Sequence, residues 1–233
     1  KVFIVVERLD ELEIIHRVAE ETGIRPNIGL RIKLVSAGQG RWAESGGEYS
    51  KFGLNSMELI EALARAREHD ITDCIRLIHF HLGSQITNIR RIKNSLKEVG
   101  RFYAELRKSG CPIDYIDVGG GLGVDYDGSR STYASSTNYT VQEYANDVVY
   151  HVLETCREEG LPHPNIISES GRAMTAYHSI LVFNVLDITS FPEWSDQIEI
   201  SDDAPEIAHE IYDVLNGTSN KNLSESWHDA MHL

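Results

Sequence analysis

Short apolar runs alternate with longer amphipathic stretches over most of this chain. Lys1 to Val6 reads as a buried strand, and Asp10 to Glu21 spaces its apolar residues as a helix does. Asn27 to Leu34 is a second strand after Pro26, and a polar loop then runs to Ser50. A helix opens near Asn55, where Asn55 and Glu58 have the spacing of a capping box, and it ends around His69-Asp70. Cys74 to His81 is a third strand, Asn88 to Ser109 a long charged helix, and Ile113 to Val118 a fourth strand. Val141 to Glu159 is a further helix and Pro164 to Glu169 a fifth strand.

This alternation implies parallel strands joined by crossover helices, an α/β fold. A (β/α)₈ barrel needs eight such steps in about 250 residues, and five are legible here, so the fold is an open sheet or a partial barrel. Opening directly on a strand at Lys1, with no initiating methionine, is expected of a partial sequence. Thr175 to Ile188 is an apolar stretch that leaves the pattern and is expected to start a different sheet. Beyond Glu193, Asp202-Asp203-Ala204-Pro205 introduces one helix to Leu215, and Leu223 to His232 forms another.

Active sites of parallel α/β folds gather at the carboxyl ends of the strands. The fourth strand breaks into Gly119-Gly120-Gly121-Leu122-Gly123, backbone that must turn tightly or approach another group closely. The run is not a dinucleotide fingerprint, since Val124 stands where the last glycine belongs, and Val124-Asp125-Tyr126 excludes a P-loop. A turn with no ligand is the alternative. On the third strand His79 and His81 lie two apart and face the same way, as core histidines or as a His-x-His metal pair. The fifth strand ends in Glu169-Ser170-Gly171-Arg172, an acid and an arginine three residues apart.

Composition narrows the partners. A net charge of −14 disfavours nucleic acid and anionic membranes. The absence of an apolar run of membrane-spanning length, and an N-terminus too soon charged for a signal peptide, point to a soluble cytoplasmic chain. Three scattered cysteines, Cys74, Cys111 and Cys156, give neither a disulfide framework nor a Cys-rich zinc site.

The segments His79-Phe80-His81-Leu82-Gly83-Ser84-Gln85, Asp117 through Tyr126 and Glu169-Ser170-Gly171-Arg172 together resemble the pyridoxal-phosphate-dependent basic amino-acid decarboxylases, whose barrel is of the alanine-racemase type. Ser45 through Gly53 and Leu161-Pro162-His163-Pro164 resemble the arginine-specific branch. The resemblance implies pyridoxal 5'-phosphate as cofactor, Mg²⁺ in addition, and loss of CO₂ from L-arginine to give agmatine for polyamine synthesis. It implies that His81 stacks on the cofactor ring and Glu169 holds the pyridine nitrogen, these two being the catalytic residues. Ser84, Gly119, Gly120, Gly121, Gly171 and Arg172 would complete the cofactor site, with Asp117, Gly123, Asp125 and Tyr126 near the substrate. A homo-oligomer built from dimers is expected.

On this reading residues 1–175 are part of the cofactor-binding barrel, 176–190 a strand leading towards a β-domain, and 191–233 the start of a helical insertion. The family's Schiff-base lysine lies upstream of Lys1 and its catalytic cysteine downstream of Leu233, with Lys33 and Lys51 structural or at a subunit contact. The chain is therefore expected to be inactive alone. An ornithine or diaminopimelate decarboxylase relative, a non-catalytic cofactor-binding homologue and a His-x-His metal hydrolase stay as alternatives.

Overall fold

Five strands form one parallel sheet in strictly sequential order: β1 (Ile4–Val6), β2 (Ile28–Arg31), β3 (Ile75–His79), β4 (Tyr115–Asp117) and β5 (Asn165–Ile167). Sequential order is what a barrel's winding produces, whereas a doubly wound sheet reverses direction midway. Helices α1 (Leu9–Thr22), α2 (Ser56–Glu68), α3 (Ile89–Lys108) and α4 (Val141–Glu159) fill the crossovers, and α5 (Gly171–Thr175) follows β5. The computed structural model describes residues 1–37, 51–189 and 198–233. The polar loop at 38–50, including most of the branch-specific Ser45–Gly53 stretch, lies outside the described residues.

The register explains which strand face does what. Val6, Leu30, Ile78, Ile116 and Ile166 are cross-strand neighbours in one row. The first four of these are almost fully buried and share a core with Leu12, Leu59, Ile92, Leu96 and Val99 from the helices. Because side chains alternate across a strand, the rows on either side face the opposite way, towards the barrel interior. The interior row below carries Val5, Gly29 and Leu77, and the row above carries Arg31, His79, Asp117 and Ile167. The apolar core thus lies between sheet and helices, and the polar residues collect at the strand ends inside.

Local signals set the helices as the pattern predicts. Asn55 accepts from the Glu58 amide at 2.9 Å while Glu58 takes the Asn55 amide at 2.8 Å, a complete capping box. Thr140 and Glu143 repeat it at the head of α4, and Gly160, at φ 64°, ends that helix in the left-handed region. In α3, buried Ile92, Leu96, Val99 and Tyr103 recur every three or four residues, the stripe that a sheet-facing helix needs. Lys33 pairs with Glu58 at 3.8 Å.

The strand expected over 176–190 is not formed in the described residues. Ala176–His178 is a 3₁₀ turn, and residues 179–189 join no sheet. A strand needs a neighbour for its ladder bonds, and this stretch has none among the described residues, leaving Leu181, Val182 and Leu186 exposed. Residues 181–233 form a separate unit holding α6 (Glu206–Gly217) and α7 (Leu223–His232), which pack on each other. The two helices match those predicted after Glu193.

Candidate functional site

A cavity of about 460 Å³ opens at the carboxyl ends of the strands, lined by Val5, Glu7, Arg31, His79, His81, Asp117 and Glu169. Its size suits a small cofactor, whose pockets span roughly 300–1,000 Å³. The lining comes in two levels fixed by register. Arg31, His79 and Asp117 share the last paired row of the sheet, with Glu7 following β1 beside them. His81, Gly119 and Glu169 each stand two residues further on, so they form the next level towards the mouth.

The lower level is internally bonded. Arg31 pairs with Glu7 and lies over the Phe52 ring, 5.3 Å from its centroid. Asp117 is buried, accepts from the Gly119 amide at 2.9 Å, and sits 3.4 Å from His79 Nδ1. Neither Arg31 nor Glu7 is picked out by the sequence motifs, because the pair forms only across strands. The only signal for Glu7 was position, the first polar residue after an apolar strand.

On the upper level His81 is half-buried, and its imidazole is pushed below the usual histidine range by burial first and then by the charges of Arg31 and His79, with Glu169 and Asp117 opposing. A neutral ring is the form that stacks against an aromatic cofactor without carrying charge into the cavity. The unfolded chain binds this proton from about pH 6.5 downward whereas the folded chain resists it, so the resulting stability is present above that pH and falls as acid is added. We expect the His81 ring to titrate below pH 6.5 by NMR, and His81→Phe to flatten the loss of stability between pH 7.5 and 5.5 in urea unfolding.

At the rim, Arg172 at the head of α5 donates to the Ser84 hydroxyl after β3, joining residues 88 apart in sequence. Between them runs the glycine turn. A Cβ on Gly119 would lie 2.3 Å from the Phe80 carbonyl oxygen, on Gly120 2.4 Å from that of Glu169, and on Gly121 1.8 Å from that of Gly83. Gly119 and Gly121 also have φ of 66° and 83°. The close approach that the sequence predicted is therefore made, first of all, to neighbouring strand-end loops. The Gly119 amide is committed to Asp117 and that of Gly171 to the Glu169 carbonyl at 2.9 Å, while the Gly120 and Gly121 amides donate to no described protein atom.

Gly123, Asp125 and Tyr126 stand away from the cavity lining. The Gly123 amide donates to the Tyr139 hydroxyl at 2.9 Å, Asp125 accepts from Ser136 at 2.6 Å, and Tyr126 is exposed. They brace the turn. Gln85 grips the Val124 backbone from both sides, donating to its carbonyl at 2.7 Å and accepting its amide at 3.1 Å. Tyr139 donates in turn to the Ile86 carbonyl at 2.8 Å. Tyr139→Phe strands both buried partners, and we expect it to cost about 1–3 kcal/mol, read from the urea midpoint.

Residues 1–176 match the family model described as the pyridoxal-dependent decarboxylase, pyridoxal binding domain. The chain belongs to this family of pyridoxal-dependent decarboxylases. Among its relatives, the biosynthetic arginine decarboxylase of Bacteroides thetaiotaomicron is 49% identical over the whole of this chain and 37% of its own length. That of Rhodopirellula baltica is 56% identical over 80% of this chain and 28% of its own. The crystal structure of the Campylobacter jejuni biosynthetic arginine decarboxylase covers 99% of this chain at 37% identity with a TM-score of 0.66, again over 37% of its own length. Diaminopimelate decarboxylase from Helicobacter pylori, complexed with L-lysine, follows at 25% identity and 0.59 over 72% of this chain. The chain spans 28–37% of the length of these curated relatives.

Proposed function

We propose that this chain carries the cofactor-binding part of a pyridoxal-phosphate-dependent decarboxylase acting on L-arginine. The observation that carries the reading is the rim itself: Arg172 and Ser84 meet from two strand ends, and the turn after the strand between them keeps the Gly120 and Gly121 amides without a described protein acceptor, beside a cavity lined by Glu169. Donors so arranged suit a phosphate dianion. Nearly half the residues are shared with arginine decarboxylases along the full chain, which favours arginine over ornithine or diaminopimelate.

In this reading Arg172, Ser84 and the two glycine amides hold the phosphate, His81 lies against the ring as a neutral face, and Glu169 accepts the pyridine N–H. When bound, the cofactor supplies an electron sink for the pair left at Cα when the bond to the carboxylate carbon breaks. Glu169 stabilises the protonated ring nitrogen on which that sink depends. Tyr139, Gln85 and Asp117 keep the turn in place. A proton then replaces the departed CO₂ at Cα, and the product is agmatine, feeding polyamine and hence spermidine synthesis.

Magnesium belongs to the family expectation, but the residues here do not fit it. His79, Asp117 and Glu169 are the one described group of three donors within 4.8 Å of one another. Mg²⁺ prefers six oxygens, whereas this group brings an imidazole and a carboxylate already bonded to Gly119. No step is assigned to the ion. Among the described residues no helix is long and apolar enough to cross a membrane, and the three cysteines are free and buried, which accords with a cytoplasmic setting. A homo-oligomer built from dimers completes the reading.

The test is the full-length protein with pyridoxal 5'-phosphate and arginine, ornithine, lysine or diaminopimelate, following CO₂ release. Arginine should be preferred by a wide margin. Preference for another amino acid overturns the substrate, and failure to take up the cofactor overturns the class.

A further inference from the structure

The lower level of the cavity contains a buried polar atom that the reading above leaves unused. His79 Nδ1 is sealed from solvent and completes no hydrogen bond, although Asp117 Oδ2 lies 3.4 Å away. Buried polar atoms are rarely left so without a reason. The reason lies in what surrounds the ring. Asp117 and Glu169 bring carboxylate oxygens within 4.8 Å of each other, and a ring nitrogen of His79 is within the same distance of both. Two carboxylates this close oppose each other's charge unless a donor or cation stands by them.

The other nearby groups do not fill that place. Arg31, the neighbour in the same row, is taken by Glu7, and His81 stands one level higher and is held neutral. Asp117 is fixed from the far side by the Gly119 amide, so the carboxylate free to adjust is that of Glu169. His79 ends β3, Asp117 ends β4 beside it and Glu169 follows β5, so Asp117 lies between the imidazole and the acid in the sheet order.

We propose that His79 is a positioning residue for Glu169, its ring holding the Asp117 and Glu169 carboxylates together so that Glu169 keeps its aim towards the cavity. This rests on the cofactor reading above. Asp117, expected near the substrate, becomes the anchor that ties this support to the glycine turn. The consequence is that the phosphate end and the ring-nitrogen end of the site are coupled through one imidazole.

The experiment uses the full-length protein and follows pyridoxal 5'-phosphate affinity by fluorescence, with thermal unfolding of the cofactor-free protein alongside. His79→Phe keeps an aromatic ring but no donor and should weaken the cofactor by about tenfold or more, while His79→Gln, which keeps a donor, should recover most of it. In a Glu169→Gln background His79→Phe should add little, because the residue acts through Glu169. A merely structural role would lower thermal stability with no selective rescue by His79→Gln and no coupling in the double-mutant cycle. If His79→Phe does not fold, His79→Leu, which also lacks a donor, replaces it in the same cycle. Wild-type affinity in the donor-less variant, or losses that add fully with Glu169→Gln, overturn the proposal. A wild-type protein that binds no cofactor overturns instead the reading on which it rests.

Discussion

Glu169→Ala in the full-length protein should reduce arginine decarboxylation by at least about a hundredfold while leaving the fold intact. The carboxylate lines the cavity and takes no part in the apolar core between sheet and helices, so its loss leaves that core intact. Its backbone stays bound, because the Glu169 amide donates to the Gly119 carbonyl at 2.8 Å whatever the side chain. On the proposed reading, what is lost is the negative charge that would face the cofactor's ring nitrogen and favour its protonated form. Cofactor should still be captured at the phosphate end, through Arg172 and Ser84. Turnover assays paired with cofactor titration separate these effects, and near-normal CO₂ release would refute the role given to Glu169. Glu169→Gln is the stricter variant, since it keeps the size and a hydrogen-bonding group and removes only the charge.

Much of the frame was legible because it is decided locally. The helix over Val141–Glu159 matches its prediction at both ends, since the Thr140–Glu143 box and the left-handed Gly160 are residue-level signals. Strands were read too long for a physical reason. Lys1 to Val6 and Ile113 to Val118 are rich in apolar residues, but ladder bonds form only where a neighbour lies alongside, at Ile4–Val6 and Tyr115–Asp117. The apolar stretch over Ile180 to Ile188 shows the same limit more sharply, since hydrophobicity marks a residue for burial and does not supply the surface that buries it.

The site divides in the same way. His81, Ser84, Glu169 and Arg172 were legible from motifs at strand ends, and the structure brings Arg172 onto Ser84 and His81 and Glu169 into one cavity. Glu7 and the use of Asp117 were not, because both depend on register. Glu7 meets Arg31 only once β1 and β2 pair, and Asp117 turns back on Gly119 only because that glycine has a positive φ. The glycine turn was legible as a constraint, but not in kind.

That constraint supplies the second large effect, Gly121→Ala. Its φ of 83° is one that an L-residue adopts only at a cost of about 1–2 kcal/mol. The added methyl would also stand 1.8 Å from the Gly83 carbonyl oxygen, backbone that is itself tied down where Ile86 donates to Gly121 at 2.9 Å. Overpacking of this kind costs roughly 1–3 kcal/mol where the surroundings can shift, and here they are two loops already clipped by Gln85 and Tyr139. A total on the order of 3 kcal/mol is a large share of the 5–15 kcal/mol by which domains are usually stable. Gly128→Ala separates the two causes. Its φ is 74° but nothing lies within 4 Å of its Cβ position, so only the conformational cost of about 1 kcal/mol applies. Urea unfolding of both variants should show Gly121→Ala falling well below Gly128→Ala, and cofactor affinity should fall with the former alone, because only there do the phosphate-facing loops have to part. Equal midpoints for the two would mean that the turn is held by its torsion angles and not by contact between the loops.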